Sequence, residues 1–304
     1  MKTNKFFISA IALGIVFTAF TACSDDDPAP LPPIGGYNNA GEIGTADLLA
    51  YWPLNGDGVE DISNTAPESN PGVTFVDGIK GRGADLNSGY LKYPSIAALS
   101  GTLNSFTISA WAKVYNNRVV INESTSTGSP SVLFSMARPN EWEGNINLFA
   151  ETGQMLTGVD SVAMKGSFRS TVSGGQSYVN ELKLQPWMID DNVVTPGKHV
   201  ANANKVGGTW AHTVFTWDGA TNKLIIYSNG VKISSPAFEV RGDNTSIVMD
   251  TPTYPMIGAF GNVATTTDSW NKAMKGQVDE IRVWKKALTP GDINALYELE
   301  KAGR

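Results

Sequence analysis

The chain is poor in the residues that most site chemistry uses. Its 304 residues include one cysteine and two histidines. With Cys23 alone, no disulfide can close within the chain. With only His199 and His212, a zinc site would need further ligands, and none stands at the short spacing such sites use. His212 sits in an apolar stretch and reads as a packed side chain rather than a base. Asp, Glu, Lys and Arg make up 17% of the residues, which argues against long surface helices. Basic clusters are absent and the formal charge is −6, a poor footing for nucleic acid or anionic lipid. No Ser/His/Asp arrangement and no phosphate-cradling glycine loop stands out. Long apolar runs are missing too, except at the start.

That exception sets the expected compartment. Lys2 and Lys5 precede an apolar run over residues 6–20, and Thr21-Ala22-Cys23 follows. A basic start, a short apolar core and small residues before a cut site describe a signal peptide over residues 1–22. The run is shorter than the about 20 residues of a spanning helix, and acids follow it at once, which weighs against a retained anchor. Phe20-Thr21-Ala22-Cys23 resembles a bacterial lipobox, which implies lipidation of Cys23. Ser24-Asp25-Asp26-Asp27 resembles the surface-export signal of Bacteroidetes lipoproteins. That resemblance implies an outer membrane lipoprotein exposed on the cell surface; taken alone, the run is a solvated linker start. Residues 28–33 read as a stiff proline-rich spacer. Residues 23–44 are therefore expected to be a lipidated, disordered linker. Cleavage removes Lys2 and Lys5 and no acid, so the formal charge moves from −6 to −8.

What is abundant is Gly, Thr, Ser, Asn and Val, in short apolar runs broken by turn residues, the pattern of a sandwich or barrel. Residues 48–54 read as a first strand. Phe106, Ile108, Ala110, Ala112 and Val114 alternate onto one face of another. Further strands are expected at 132–136, 146–149, 210–217, 224–227, 231–233 and 277–284. Asn229-Gly230 supplies the positive φ angles of a two-residue hairpin turn. One helix is expected near the end: Thr289 caps it, Pro290 opens it, and Asp292 completes a capping box. Ile293, Leu296 and Tyr297 then share the face that packs on the sandwich.

Several stretches together resemble the laminin-G-like, concanavalin A-like jelly-roll family. They are Tyr51-Trp52-Pro53-Leu54-Asn55-Gly56 with Asp61-Ile62-Ser63-Asn64, then Gly81-Arg82-Gly83-Ala84-Asp85-Leu86, and the Phe106-Thr107-Ile108-Ser109-Ala110-Trp111 strand. Trp210-Ala211-His212 leading to Trp217-Asp218-Gly219, and Gln277-Val278-Asp279-Glu280-Ile281-Arg282-Val283-Trp284 leading to Ala287-Leu288-Thr289, complete the set. The resemblance spans residues 47 to about 300. It implies an all-β, two-sheet antiparallel jelly-roll sandwich over residues 45–304 with one short C-terminal helix. The chain departs from the family in an extended middle region, about 115–208, where 153–176 and 186–206 read as long loops.

Asp279 is the expected metal residue. Along 277–284 it alternates onto the side of Ile281 and Val283, and a buried carboxylate needs a partner. Calcium suits oxygen ligands, and the family resemblance implies a site joining this strand to the opening loop, which carries Asp57, Glu60 and Asp61, with Asp57 and Asp61 the expected ligands beside Asp279. The alternative is a carboxylate held by backbone amides or a hydroxyl. Of eight tryptophans, five lie in the family-like strands and read as structural. Trp142, Trp187 and Trp270 lie in loops, where aromatics mark binding, here sugar stacking, unless each tucks under its own loop. Paired catalytic carboxylates are not evident. The Glu-x-Asp-x-x-Glu strand of sandwich β-glucanases is absent, and Glu141 and Glu143 flank Trp142 beside Gly144 in what reads as a surface loop. The expectation is a non-catalytic surface module that binds carbohydrate. An adhesive protein that contacts other proteins, and a glycan-active hydrolase or lyase, are the alternatives.

Overall fold

The computed structural model describes residues 31–172, 176–183, 204–234, 236–240 and 246–304. Cys23, Trp187 and His199 lie outside them. The first strands are β1 (Leu48–Trp52), β2 (Val73–Asp77), β3 (Arg82–Gly89), β4 (Leu91–Lys92) and β5 (Ser105–Val114). Next come β6 (Val119–Asn122), β7 (Thr125–Thr127), β8 (Ser131–Ala137), β9 (Ile146–Ala150), β10 (Met164–Val172) and β11 (Gln176–Lys183). β12 (Trp210–Asp218), β13 (Lys223–Ser228), β14 (Val231–Lys232), β15 (Tyr254–Ile257) and β16 (Met274–Trp284) follow. A single turn, α1 (Pro236–Glu239), and a longer helix, α2 (Pro290–Lys301), are the α-helical elements among the described residues. No helix of the described residues is long and apolar enough to cross a membrane.

Two antiparallel sheets face each other. One runs β14-β13-β12-β5-β16-β3-β2, with β1 also paired to β16; the other runs β11-β10-β9-β8-β15-β4. β6 and β7 form a separate ribbon. The architecture is thus an all-β sandwich with one short C-terminal helix. Strand period places Phe106, Ile108, Ala110, Ala112 and Val114 in the core, as the alternation of β5 predicts. The opposite sheet answers with Phe134, Met136, Leu148 and Phe168. Rings meet across the layers: Phe168 lies 6.3 Å from Phe106 and 5.0 Å from Trp217, and Trp52 lies 5.4 Å from Phe134. Each such side chain contributes about 1.5–3 kcal/mol by leaving water.

The hairpin turn forms as expected, with φ of 50° at Asn229 and 76° at Gly230. The stretch 153–176 does not stay a loop, because it contains β10, which pairs with β9 and β11. Met164 and Phe168 enter the core. Between them Gly166 lies so close to the Phe215 ring that a Cβ would sit 2.5 Å from it. The small residue that masks the period-two signal is what lets the sheets approach here.

The outer face of the larger sheet is covered by α2. Thr289 Oγ1 accepts from the Asp292 N–H at 3.1 Å, and the Asp292 carboxylate accepts from the Thr289 N–H at 3.3 Å, the expected capping box. Ile293, Leu296 and Leu299 pack with Val214, Tyr227 and Trp284, and Tyr297 stacks on Trp111 at 5.6 Å. Residues 34–44, expected as linker, correct that expectation: the folded body begins at Pro33. Ile34, Tyr37, Ala40 and Ile43 join the apolar cluster of α2. Trp284 Nε1 donates to the Ile43 carbonyl at 3.1 Å and Tyr37 Oη to Asp292 at 2.8 Å. The apolar residues in a glycine-rich stretch give this segment a surface to bury, which a true linker lacks.

Under α2 the sheet carries a buried polar group. Arg282 pairs with Glu280 at 2.7 Å and with Glu300 of the helix. Its guanidinium lies 4.1 Å from the centre of the Tyr51 ring, and Tyr51 Oη donates to Glu280 at 2.8 Å. Trp111 Nε1 donates to Glu300 at 2.7 Å. His212 is fully buried beside them, 3.6 Å from Glu300, with its ring 5.3 Å from that of Trp111. Burial first, and the Arg282 charge second, lower its pKa from 6.5 to about 3. It is therefore a neutral packed imidazole, as its strand position suggested.

Candidate aromatic binding site

The smaller sheet presents its outward face through β9 and β10. Leu148, Ala150 and Met164 enter the core, so Phe149 and Lys165, which pair in register, stand on the other side. Phe149 clusters with Val132 and Phe260 to form an apolar base. Two loops then bring a tryptophan each to that base. Trp142 comes from the β8–β9 connection and Trp270 from the connection between β15 and β16. Their rings lie 5.7 Å apart and nearly perpendicular, at 84°. Both also touch Phe260 edge-on, at 5.9 Å and 6.3 Å. Each stays about a third exposed, 37% for Trp142 and 38% for Trp270.

Neither loop is loose. Arg138, buried, donates from Nε to the Glu143 carbonyl at 3.0 Å and pairs with Glu141 and, at 3.3 Å, with Asp250. Arg169 reaches Glu141 at 3.4 Å and Glu143 at 3.7 Å. Both acids flanking Trp142 are thus fixed to arginines. The second loop is tied by Asn271, whose side chain donates to Asn262 at 2.6 Å, and by the Met274 N–H, which donates to Gly258 at 2.7 Å. Loops fixed in this way present aromatic surface without a large ordering cost on binding.

Between the tryptophans and β10 lies a cavity of about 270 Å³, lined also by Phe149, Glu151, Gln154 and Lys165. Lys165 Nζ pairs with Glu151 at 2.8 Å and lies 5.1 Å from the Phe149 ring centre. A concave site with aromatic walls and a few converging polar groups suits a small polar ligand with an apolar face. Of the three loop tryptophans expected to bind, the structure brings Trp142 and Trp270 together; Trp187 lies outside the described residues. Phe149, Phe260 and the Lys165–Glu151 pair were missed. The alternation of Lys165, Ser167 and Arg169 against Met164 and Phe168 is the signal that could have found β10 and its outward lysine.

The expected metal residues do not converge. Pairing of β16 with β5 slips between Asp279 and Arg282, and Glu280 takes a φ of 48°. Val278, Ile281 and Val283 all enter the core, so this bulge absorbs an extra residue and breaks the parity that placed Asp279 on the Ile281 side. The Asp279 carboxylate instead accepts from the amides of Ile79 at 2.7 Å, Lys80 at 3.2 Å and Glu280 at 2.9 Å. Burial, then the Glu280 charge, raise its pKa to about 7 against the pull of those amides. Asp57 is exposed and bonds its own turn at Val59, 3.1 Å away; Asp61 is exposed as well. Glu60, between them, is buried and accepts from the amides of Tyr51, Ile62 and Ser63. Among the described residues no group of three metal-ligating side chains comes together. The Asp279 oxygens are taken up by amides, and among the described residues Asp57 and Asp61 do not join Asp279 in a group that could hold calcium.

A laminin G family model, described as the concanavalin A-like lectin/glucanases superfamily, matches residues 85–294. No curated protein matches the sequence. Similar solved structures include domain 4 of an extracellular arabinanase from Geobacillus stearothermophilus, in complex with arabinotriose. It shares 17% identity at a TM-score of 0.46, over 82% of this chain and 98% of that one. The binding domain of a paraclostridial mosquitocidal protein shares 18% identity at a TM-score of 0.52, over 83% of this chain and 52% of that one. The binding domain of botulinum neurotoxin serotype G shares 12% identity at 0.54, over 83% and 51%. The chain spans about half the length of these two toxin structures.

Proposed function

Because the chain belongs to the concanavalin A-like lectin/glucanase superfamily, we propose that it is a non-catalytic carbohydrate-binding module whose stacking surface is Trp142 with Trp270. The observation that carries this reading is the pair of fixed, part-exposed indoles over a cavity with an ion pair in its wall. Sugar rings offer C–H faces to indoles and hydroxyls to Lys165 and Glu151. A tryptophan presents roughly 250 Å² in all, so the third left exposed is about 90 Å². Covering it contributes about 2 kcal/mol. Glu141 and Glu143 are each held by arginine, which supports a positioning role for them rather than acid–base work. In the same reading Cys23 is lipidated and holds the module on the outer face of the outer membrane.

Affinity gels and calorimetry with soluble polysaccharides test this. Trp142→Ala and Trp270→Ala are expected to weaken binding by roughly 10- to 30-fold each, with near-UV circular dichroism confirming that each variant is folded. Binding unchanged in both variants, or no binding across a broad polysaccharide panel, would sink the proposal. Turnover of a glycan that disappears on Glu141→Gln or Glu143→Gln would replace it with an enzyme. A protein-contacting, adhesive reading draws on the β6–β7 ribbon, where Val119, Val120 and Ile121 are 53%, 53% and 61% exposed. It predicts cell adhesion that is lost on Val120→Ser with Ile121→Ser and is indifferent to the tryptophan variants.

A further inference from the structure

The tryptophan cavity has a neighbour of about 520 Å³, and Gly128 and Pro130 line both. The chain segment 269–275 also borders both: Trp270 lines the first, while Ser269, Lys272 and Lys275 line the second. Two residues of extended chain reach at most about 7 Å, so the backbones of Trp270 and Lys272 lie within that distance of each other.

The two cavities differ in charge. In the first, Lys165 is matched by Glu151 at 2.8 Å. Among the described residues the second is lined by Lys272 and Lys275 and by no acid. Both lysines are exposed, and among the described residues neither has a carboxylate at ion-pair distance. The rest of its wall offers hydroxyls, amides and the part-exposed Tyr115. That wall is set in place: Asn117 donates to the Ser129 carbonyl at 3.0 Å and accepts from its N–H at 2.8 Å. The formal charge of the chain is −6, so these lysines do not belong to a generally basic surface. An uncompensated cationic pair in a concave site of an acidic protein is a local demand for an anion.

We propose that this second cavity receives the anionic group, carboxylate or sulfate ester, of a sugar unit adjoining the one stacked on Trp142 and Trp270, so that the glycan bound is an acidic polysaccharide. The inference rests on the carbohydrate-binding reading above. Lys272 and Lys275 donate charge-assisted hydrogen bonds to that group, while Asn117 and the neighbouring serines meet ring hydroxyls.

The test compares charged and neutral forms of one backbone on the full chain by calorimetry. Oligogalacturonate is set against its carboxyl-reduced form, and dextran sulfate against dextran, which separates carboxylate from sulfate ester. At least one charged probe is expected to bind on the order of tenfold more tightly than its neutral partner, since two exposed ion pairs change affinity by about that factor. The preference should fall as salt rises from 50 to about 500 mM and vanish in Lys272→Met/Lys275→Met, while Trp142→Ala weakens charged and neutral probes alike. Equal binding of charged and neutral partners, or a charge preference that survives the lysine substitutions, overturns the inference and leaves the carbohydrate reading standing. Polyanion binding that ignores Trp142 and Trp270 overturns the shared site, and no binding by any probe overturns both.

Discussion

Arg282 tests how the C-terminal helix is held to the sandwich. It is 2% exposed and lies between Glu280 and Glu300, both fully buried. Lys80, 31% exposed and 3.9 Å from Glu280, sits at the rim. Replacing Arg282 by methionine keeps most of the volume but leaves two buried carboxylates without their main cation. Breaking a buried pair in this way costs about 3–5 kcal/mol, a large part of the roughly 5–15 kcal/mol that holds a domain folded. At about 2–4 °C per kcal/mol for a domain of this size, Tm falls by about 6–20 °C. Glu300→Gln is the control. It leaves Arg282 with Glu280 at 2.7 Å and keeps an oxygen for the Trp111 N–H, so it costs only about 1–2 kcal/mol. The arginine variant also has a pH signature. Protonating its stranded carboxylates relieves the folded state more than the unfolded one, so its folded state binds more protons and its deficit narrows as pH falls. Urea unfolding followed by tryptophan fluorescence at pH 7.5 and 4.5 measures both effects. The reasoning fails if Arg282→Met is no less stable than Glu300→Gln, or if its deficit is the same at the two pH values.

Three further outcomes are expected. His212, lowered to about 3, stays neutral in the folded state while the unfolded chain protonates near 6.5. Its contribution is whole above about pH 6.5 and lost toward pH 3, by up to about 1.4 kcal/mol per pH unit, so His212→Phe should flatten that acid limb in urea titrations. An equally steep limb refutes it. Asp279, raised from 3.8 to about 7, acts in the opposite sense as pH rises through that window, so variants rather than the wild type alone must be compared. With the Asp279 oxygens taken by three amides, Tm should be the same in calcium and in chelator; calcium at 100 times its Kd would instead add about 2.7 kcal/mol, several degrees. Finally, Cys23→Ala should abolish incorporation of labelled palmitate and release the protein from the membrane fraction, and continued labelling would rule out lipidation at that residue.

What the sequence made legible follows one physical rule. A signal confined to neighbouring residues could be read, and one assembled from distant residues could not. The alternation in β5, the turn at Asn229-Gly230 and the capping box at Thr289 are local, and all three form as read. The bulge in β16 is also local in the chain, but its cause is not. Val278 and Ile281 both enter the core while Arg282 must meet Glu300 from the far end of the chain, so parity across residues 278–281 yields to two distant demands. That one slip is why Asp279 was placed on the wrong side. The binding site divides the same way. Trp142 and Trp270 were recognisable singly as aromatics among polar loop residues, but their 5.7 Å contact depends on Phe260 and on a strand, β10, whose pattern Gly166 obscures. The glycine is there because Phe215 fills the space a side chain would take. A tight core contact between the sheets thus hid the strand that brings Lys165 to the outer face. The arginines that fix the Trp142 loop show the same dependence. Arg138 precedes Trp142 by one turn of chain, whereas Asp250, its partner at 3.3 Å, comes from the loop before β15. Trp142 is therefore held by an ion-pair network that joins the end of β8, β10 and the loop before β15, and its exposure is a property of the fold rather than of the loop that carries it.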